Sequence, residues 1–260
     1  MLLGGKVAIV TGGGKGIGEA ISLAFANEGA DVVVAARSES AIKEVASKIE
    51  VIGRKSLAVV TDLSSPEQIL AMVDKTLGVF GRVDVLVNNS GIEGPTVNVE
   101  NMDLDAWNEV LAVNLTGSML CTRQVLKKSM IPSRNGVIVN ISSIAGRVGF
   151  GWRSPYSTSK WGIISLTQTL AWEVGRYSIR VNCIAPGAVE GDRLERVLRE
   201  RSKVRGIPFE KVLERESSRS ALRRMVKPEE VAALAVFLAS EQSSGITGQT
   251  INCCAGLEMS

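Results

Sequence analysis

A tyrosine and a lysine four residues apart are the side chains of this chain best suited to acid–base chemistry. They are Tyr156 and Lys160, which follow Ser154-Pro155, a pair that favours the start of a helix. Residues i and i+4 lie on one face of a helix, so the ammonium stands beside the phenol. A neighbouring cation stabilises the phenolate and lowers a tyrosine pKa from its ordinary value of about 10. The pair predicts a proton donor and acceptor, although this spacing alone also arises by chance.

A glycine-rich turn near the amino terminus is suited to binding phosphate. A strand-like segment runs into Thr11-Gly12-Gly13-Gly14-Lys15-Gly16-Ile17-Gly18, where a helical segment opens. Such a turn brings bare backbone N–H groups and the positive end of a helix against a phosphate. The spacing Gly12-x3-Gly16-x-Gly18 differs from the dinucleotide fingerprint GxGxxG, so the turn alone leaves a purely structural glycine loop equally open.

Strands and helices alternate along almost the whole chain, and these elements must position the two motifs. Seven segments rich in Val, Ile and Leu predict strands: Lys6–Thr11, Val32–Ala36, Leu57–Thr61, Val83–Asn88, Val137–Ser142, Ile179–Ile184 and Gln249–Cys253. The predicted helices are Gly16–Glu28, Ser38–Val51, Ser65–Phe80 with Ser65 and Gln68 as a capping box, Leu104–Met130, Ser154–Tyr177 and Pro228–Ser240. Nearly continuous apolar strands are buried on both faces, as in a parallel sheet. The pattern predicts one α/β domain over residues 1–260, a doubly wound seven-stranded parallel sheet flanked by helices.

The residue composition excludes several classes of chemistry. The 260 residues include no histidine, which excludes a His general base, a Ser-His-Asp triad and a His-ligated metal site, and we expect no metal. The four cysteines form no CxxC pair and predict reduced thiols in a cytoplasmic protein. No stretch approaches the ~18 uninterrupted apolar residues of a membrane helix, and the amino terminus lacks the features of a signal peptide. We therefore expect no membrane partner.

A basic, charge-dense segment interrupts the alternation. From Asp192 to Lys227 the chain carries 12 Lys/Arg and 6 Asp/Glu, whereas the net charge of the whole chain is +3. A nucleic-acid-binding arm and a solvated helical insert with both signs interspersed are the two interpretations. Phe209 is the only aromatic residue there, which gives no support to base stacking and favours the second. We expect a charged helical substrate-loop insert at about 190–225 and no nucleic-acid partner.

Taken together, the motifs resemble those of the short-chain dehydrogenase/reductase family in order and spacing. The resemblance is carried by Thr11-Gly12-x3-Gly16-x-Gly18, Asp62, Asn88-Asn89-Ser90-Gly91, Asn114, Ser143, Tyr156-x3-Lys160 and Pro186-Gly187. It extends from Lys6 to about Gly256. It implies a Rossmann-type fold and an enzyme that moves hydride between a nicotinamide and a carbonyl or secondary alcohol. It also implies a homo-oligomer, a tetramer or a dimer.

The resemblance implies a role for each matched residue. Tyr156 would be the general acid in carbonyl reduction and the base in the reverse direction, and Lys160 would lower its pKa and hydrogen-bond the nicotinamide ribose. Ser143 would donate to the substrate oxygen. Asn114 would anchor a water that links Lys160 to solvent, unless it only kinks its helix. The residues in contact with cofactor would be Gly12, Lys15, Gly16, Ile17, Gly18, Arg37, Asp62, Leu63, Asn89, Gly91, Tyr156, Lys160, Pro186, Gly187 and Val189.

The end of the second strand indicates which cofactor is bound. Enzymes that select NAD place an acid there, on the 2′-hydroxyl of the adenosine ribose. Asp31 lies at the wrong end of that strand, and the expected position is Ala36, followed by Arg37. With Lys15 in the glycine turn, two cations and no acid suit a 2′-phosphate. We predict that NADP(H) is favoured over NAD(H).

The substrate is the least determined feature. Arg147 and Arg153 flank the stretch between Ser143 and Tyr156, with Glu93 expected on the opposite wall. Together with the basic insert they predict a small polar or anionic substrate, unless both arginines point to solvent or pair with a neighbouring subunit.

Three other activities remain open to different degrees. One is a 3-oxoacyl-carrier-protein reductase, although those reductases usually carry Arg where this chain has Trp172. Another is an NAD-dependent sugar or polyol dehydrogenase. A non-enzymatic dinucleotide-binding regulator is less favoured, because the Tyr, Lys and Ser are all present.

Overall fold

A seven-stranded parallel sheet forms the centre of the computed structural model, which describes residues 1–259. Its strands are β1 (Val7–Thr11), β2 (Asp31–Ala36), β3 (Ser56–Val60), β4 (Val85–Asn88), β5 (Gly136–Ile141), β6 (Ile179–Pro186) and β7 (Thr250–Cys253). They lie in the order β3-β2-β1-β4-β5-β6-β7, and every neighbouring pair is parallel. The fold class predicted from the sequence, a single doubly wound α/β domain of the Rossmann type, is therefore confirmed.

Helices cover both faces of the sheet. They are α1 (Gly16–Asn27), α2 (Glu39–Val51), α3 (Pro66–Phe80), α4 (Leu104–Leu111), α5 (Gly117–Val125), α6 (Ile131–Ser133), α7 (Ser154–Val174), α8 (Asp192–Arg205), α9 (Phe209–Ser218) and α10 (Pro228–Ala239). The core on one face joins α1, α2 and α10, and the core on the other joins α3, α5 and α7. Alternate strand residues serve the two cores: Ala8 and Val10 face the first, and Ile9 faces the second.

The long helix predicted over Leu104–Met130 is interrupted. A wide π-helical turn at Ala112–Thr116 separates α4 from α5, and a second one at Leu126–Met130 follows α5. The second turn precedes Pro132, whose missing N–H and ring disturb the preceding carbonyls. The predicted end before Pro132 is wrong by one helical turn, because α6 continues to Ser133.

The start of α3 differs in detail from the predicted capping box. The Ser65 hydroxyl accepts from the Gln68 N–H at 3.3 Å, as expected of an N-cap. The Gln68 side chain, however, accepts from the backbone N–H of Asp62 at 2.9 Å instead of returning to Ser65. The glutamine therefore ties the end of β3 to the helix, which fixes the backbone around Asp62.

The charged insert folds into α8 and α9. Some of its charges pair with one another, in Arg199–Glu195 within α8 and in the buried Arg201–Glu216 pair between the two helices. The start of the insert is tied to its end, because Val189 and Val226 form a parallel bridge. Within residues 1–259, no helix is long and apolar enough to cross a membrane.

Candidate active site

The crevice of the sheet opens where the strand order reverses, between the carboxyl ends of β1 and β4. Thr11 closes the end of β1, and its hydroxyl donates to the Val87 carbonyl at 3.2 Å. The same oxygen accepts from the N–H groups of Asn89 and Ser90 at 3.0 and 3.1 Å. The Asn89 amide donates in turn to the carbonyls of Thr11 and Gly12. In open α/β sheets, ligands bind at this switch point, and here both of its walls are fixed by hydrogen bonds.

At Gly12 and Gly18, the glycine turn beside this crevice has no room for a side chain. Gly12 has a φ of +65°, and a Cβ there would lie 2.9 Å from the Asn89 amide nitrogen. A Cβ on Gly18 would overlap the Gly12 carbonyl. Gly16, at the start of α1, faces open space instead. A bare turn packed against β4 and open above the first turn of a helix fits the pyrophosphate of a dinucleotide.

Two cations and one acid surround the place where the adenosine end of a dinucleotide would lie. Lys15 and Arg37 are exposed, and neither forms an ion pair with any residue from 1 to 259. The pKa of Asp62 is lowered, chiefly by the Ser64 backbone N–H and also by Arg37. Ala36 ends β2 without an acid, and Asp31 lies at the other end of that strand, where it pairs with Arg54.

The structure brings Ser143, Tyr156 and Lys160 together at the carboxyl end of β5. Ser143 follows β5, and its hydroxyl accepts from the Ala145 N–H at 3.1 Å. The hydroxyl also hydrogen-bonds to the Tyr156 phenol. Lys160 is 3% exposed; its ammonium donates to the Ile141 carbonyl at 2.8 Å and lies 5.8 Å from the centre of the Tyr156 ring.

Three cations shift the ionisation of this phenol. Burial by itself raises the pKa of Tyr156. Arg193, Lys160, the hydrogen bond from Ser143 and Arg153 together outweigh burial, so the pKa lies below its ordinary value. Burial also lowers the pKa of Lys160, and Tyr156 opposes that effect. A phenol with a lowered pKa in a crevice is a candidate for proton exchange with a substrate.

Asn114 lies within the first π-helical turn and holds the loop that follows β4. Its amide oxygen accepts from the Ile92 N–H at 2.8 Å, and its amide nitrogen donates to the Ile92 carbonyl and to the Ser159 hydroxyl. A Cβ on Gly91 would be 3.2 Å from the Asn114 oxygen and 3.5 Å from the Lys160 ammonium. The bare Gly91 therefore lets Asn114 and Lys160 approach each other from two sides.

The remaining residues predicted to contact the cofactor lie at the end of β6, at the base of the insert, in α1 and after β3. Pro186 ends β6, and the Gly187 N–H donates to the Cys253 carbonyl at 3.0 Å. Val189 lies at the base of the insert, and its neighbour Ala188 accepts from the Val226 N–H. Two further predicted contacts, Ile17 and Leu63, lie in α1 and directly after Asp62, and Leu63 is buried.

The arginines around Tyr156 differ from the sequence interpretation. Arg147, predicted with Arg153 to flank the stretch between Ser143 and Tyr156, donates from its guanidinium to the Thr250 carbonyl of β7. Arg153 does not point to solvent: it is 3% exposed, with its guanidinium carbon 5.2 Å from the centre of the Tyr156 ring. Arg193 was not predicted individually from the sequence, and its guanidinium carbon is 5.8 Å from the centre of the same ring. Arg153 directly precedes α7 and is three residues from Tyr156, and this short separation in sequence was an available signal that the two lie close together.

The fold and this crevice define a dinucleotide-binding α/β oxidoreductase, and comparison with known proteins places it more narrowly. The family model described as short chain dehydrogenase matches residues 6–202. The 3-oxoacyl-acyl-carrier-protein reductase FabG of Thermotoga maritima is 40% identical over 257 residues, which cover 99% of each protein. The chain belongs to the short-chain dehydrogenase/reductase family.

Two solved structures are similar to the whole chain. A xylitol dehydrogenase with bound NAD+ superposes with a TM-score of 0.94, at 31% identity, covering 97% of this chain and 99% of the other. An actinorhodin polyketide ketoreductase with NADPH superposes with a TM-score of 0.93, at 34% identity, covering 97% of each. The protein is thus an oxidoreductase that acts on alcohol or carbonyl groups with a nicotinamide dinucleotide.

Proposed function

We propose that the chain, over residues 1–260, is one NADP(H)-dependent oxidoreductase domain in which Tyr156 is the proton donor for carbonyl reduction. The observation that carries this proposal is the environment of the Tyr156 phenol. Burial opposes its ionisation, yet Arg193, Lys160 and the hydrogen bond from Ser143 more than compensate. Such tuning suits a group that gives up and recovers a proton in each turnover.

The chain's own residues orient and protonate the substrate. The bound nicotinamide supplies the hydride in reduction and accepts it in alcohol oxidation. Ser143 donates a hydrogen bond to the substrate oxygen and holds it beside Tyr156, and the phenol passes its proton to that oxygen as negative charge develops. In the reverse direction the phenolate removes the hydroxyl proton of a secondary alcohol.

Lys160 and Asn114 would return the proton to Tyr156. The Lys160 ammonium is held by the Ile141 carbonyl and stabilises the phenolate without forming an ion pair with an acid. The Asn114 oxygen has accepted one hydrogen bond, from Ile92, and has a second lone pair. With Gly91 leaving space between them, a water bound to this oxygen would connect Lys160 to solvent. Asn114 lies in a distorted helix, and in this proposal it also anchors the water of the proton route.

Lys15 and Arg37 support the preference for NADP(H). Both cations are exposed and unpaired with any described acid, and β2 ends in Ala36. Charge-assisted bonds to a 2′-phosphate contribute about 1.5–3 kcal/mol each. The phosphate end of the site would be formed by Gly12, Gly16 and Gly18, and its nicotinamide end by Pro186, Gly187 and Val189.

Reversing one of these charges tests the cofactor preference. We expect Arg37→Asp to lower kcat/KM with NADPH at least tenfold and to leave the value with NADH nearly unchanged. Lys75→Asp, an exposed charge reversal on α3, is the matched control and should change neither value. The preference for NADP(H) would be wrong if the wild-type enzyme had the higher kcat/KM with NADH. It would also be wrong if Arg37→Asp lowered kcat/KM equally with both cofactors.

A carrier-protein reductase is the second candidate, because a relative of that name is 40% identical over nearly the whole chain. Trp172, where carrier-protein reductases usually have Arg, is 90% exposed on α7 and offers no positive charge. A sugar or polyol dehydrogenase is the third, since the xylitol dehydrogenase has the same fold. Turnover of an acyl thioester, a free oxo acid and a ketose, each with NADPH and NADH, distinguishes the three.

We further propose a cytoplasmic homo-oligomer. All four cysteines are free thiols, as a reducing compartment favours. On α7, Trp161 and Trp172 are 50% and 90% exposed, and large exposed apolar side chains on one helix suit an interface between copies. Light scattering would give the oligomeric state, with a tetramer expected and a monomer contradicting the proposal.

A further inference from the structure

The buried guanidinium of Arg153 has hydrogen-bond donors that no residue in the structure satisfies. Its Nη2 donates to the Glu93 carbonyl at 3.0 Å. Its Nε and Nη1 are out of contact with solvent and have no acceptor among residues 1–259. These two nitrogens carry three of the five N–H bonds of an arginine. A buried cation with unsatisfied donors is costly, and buried charges in native proteins are normally paired.

The carboxylic acid whose charge acts most strongly on this guanidinium is already engaged elsewhere. The Glu93 carboxylate lies 3.4 Å from Arg193 and 3.2 Å from Arg196, both of α8. Arg153 therefore hydrogen-bonds to the backbone carbonyl of Glu93 and not to its carboxylate. The other groups that face it are Tyr156, Arg193 and Glu200, and the Glu200 carboxylate accepts from the Thr96 hydroxyl at 2.9 Å. One acid shared among several arginines leaves an excess of positive charge around the phenol.

Two of these cations lie beside the phenol that we propose as the proton donor to the substrate carbonyl. Arg153 and Arg193 approach the Tyr156 ring within 5.2 and 5.8 Å of its centre, one from the start of α7 and one from α8. Like charges that converge on one ring repel each other, and an anion between them would remove the repulsion. The hydroxyl of Ser157, one helical turn after Arg153, is also buried without a partner. It provides a further donor on the same side of α7.

We propose that the substrate is an oxo acid or its hydroxy acid, whose carboxylate binds to the free N–H groups of Arg153 while Arg193 closes over it from α8. This inference rests on the proposed function of the same site. A planar guanidinium matches a carboxylate well, and the charge-assisted bonds hold the substrate in one orientation. With the carboxylate fixed at Arg153, the carbonyl of a short chain reaches Ser143 and Tyr156. Because the free N–H groups of Arg153 are out of contact with solvent, α8 must move away for the carboxylate to enter and then return with Arg193.

Three small probes with the same skeleton test the charge requirement. They are acetoacetate, the neutral acetoacetamide and 2-oxopropylphosphonate. Calorimetric titration of the enzyme–NADP+ complex, which has no hydride to transfer to a carbonyl, should show that acetoacetate binds at least tenfold more tightly than acetoacetamide. Equal affinity, or no detectable binding of the acid, overturns the proposal. Tighter binding of the phosphonate than of acetoacetate would overturn the choice of a carboxylate.

Variants of the arginine assign the effect to one residue. Arg153→Gln should weaken acetoacetate binding by about 10- to 100-fold and acetoacetamide binding by less than about threefold, and Arg153→Lys should recover part of the loss. Arg199→Gln, on the exposed side of α8, is the control and should change neither. If Arg153→Gln weakened the binding of acetoacetate and of acetoacetamide equally, the proposal would be contradicted. If that variant does not fold, the wild-type affinity ratio still decides the question.

The binding assay separates this inference from the proposed function. If acetoacetate binds in an Arg153-dependent manner but no probe or carbonyl oxidises NADPH, the proposed function fails and the carboxylate site stands. If carbonyls are reduced and the neutral probe is bound as well as the acid, the proposed function stands and the carboxylate site fails.

Discussion

Removal of the Arg193 charge should make the Tyr156 phenol harder to ionise. Arg193 is foremost among the groups that lower the pKa of Tyr156 against the effect of burial. A separation of 5.8 Å and an effective dielectric constant of about 20 give an interaction of roughly 3 kcal/mol. The Arg193 side chain is 46% exposed, so solvent screening reduces this value to about 1 kcal/mol. Arg193→Gln should therefore lower the ratio of phenolate to phenol at a fixed pH by about fivefold.

The small number of tyrosines makes a direct assay practicable. The chain has only Tyr156 and Tyr177, so a Tyr177→Phe background leaves one phenol to follow by its ultraviolet difference spectrum. The titration needs neither substrate nor cofactor. We expect Tyr156 to ionise below its ordinary pKa in this background, and at higher pH when Arg193→Gln is added.

A charge change elsewhere on α8 is the control for this titration. Arg199 pairs with Glu195 and stacks on Phe209, so Arg199→Gln should leave the curve in place. The electrostatic account of Tyr156 would be refuted if the Tyr177→Phe protein showed a Tyr156 pKa at or above the ordinary value. It would also be refuted if adding Arg193→Gln left the titration curve unchanged.

Two further predictions concern the glycine turn and the loop after β4. Gly18→Ala should weaken NADPH binding by more than about tenfold, measured by fluorescence titration, because its Cβ would overlap the Gly12 carbonyl. Gly78→Ala, where a Cβ meets open space on α3, should leave binding unchanged. Asn114→Ala should lower the free energy of unfolding by about 1–3 kcal/mol in urea titrations, because the Ile92 N–H and carbonyl lose their partner. An unaltered stability would contradict the role of Asn114 in holding that loop.

Periodicity and strand composition were enough to predict the sheet. Strands such as β5 are buried along their whole length, so apolar runs locate them to within about two residues. The two π-helical turns were not predictable in the same way. A wide turn depends on which groups meet across the fold, such as Asn114 and the Ile92 backbone, and leaves no periodic signal.

In the candidate site, likewise, some neighbouring residues could be predicted from the sequence and others could not. Tyr156 and Lys160 share a helix, so their spacing alone predicts that they are neighbours. Arg193 reaches the same phenol from a distant helix, and only the packing of α8 against the loop at Glu93 brings it there. Arg147 shows the opposite case: it is close to the site in sequence, but a carbonyl of β7 holds its guanidinium.

The central claim is that Tyr156 supplies the proton for carbonyl reduction. Its most direct test is to compare hydride transfer in the wild-type enzyme and in a variant that lacks the phenol hydroxyl. NADPH that carries deuterium at both positions on C4 of the nicotinamide, mixed with a reactive dicarbonyl, should give a product with deuterium on the new carbinol carbon, as mass spectrometry would show. Tyr156→Phe keeps the ring but lacks the proton. It should bind NADPH within about threefold of the wild-type affinity and transfer the label at least 100-fold more slowly. Transfer within about tenfold of the wild-type rate would contradict the account.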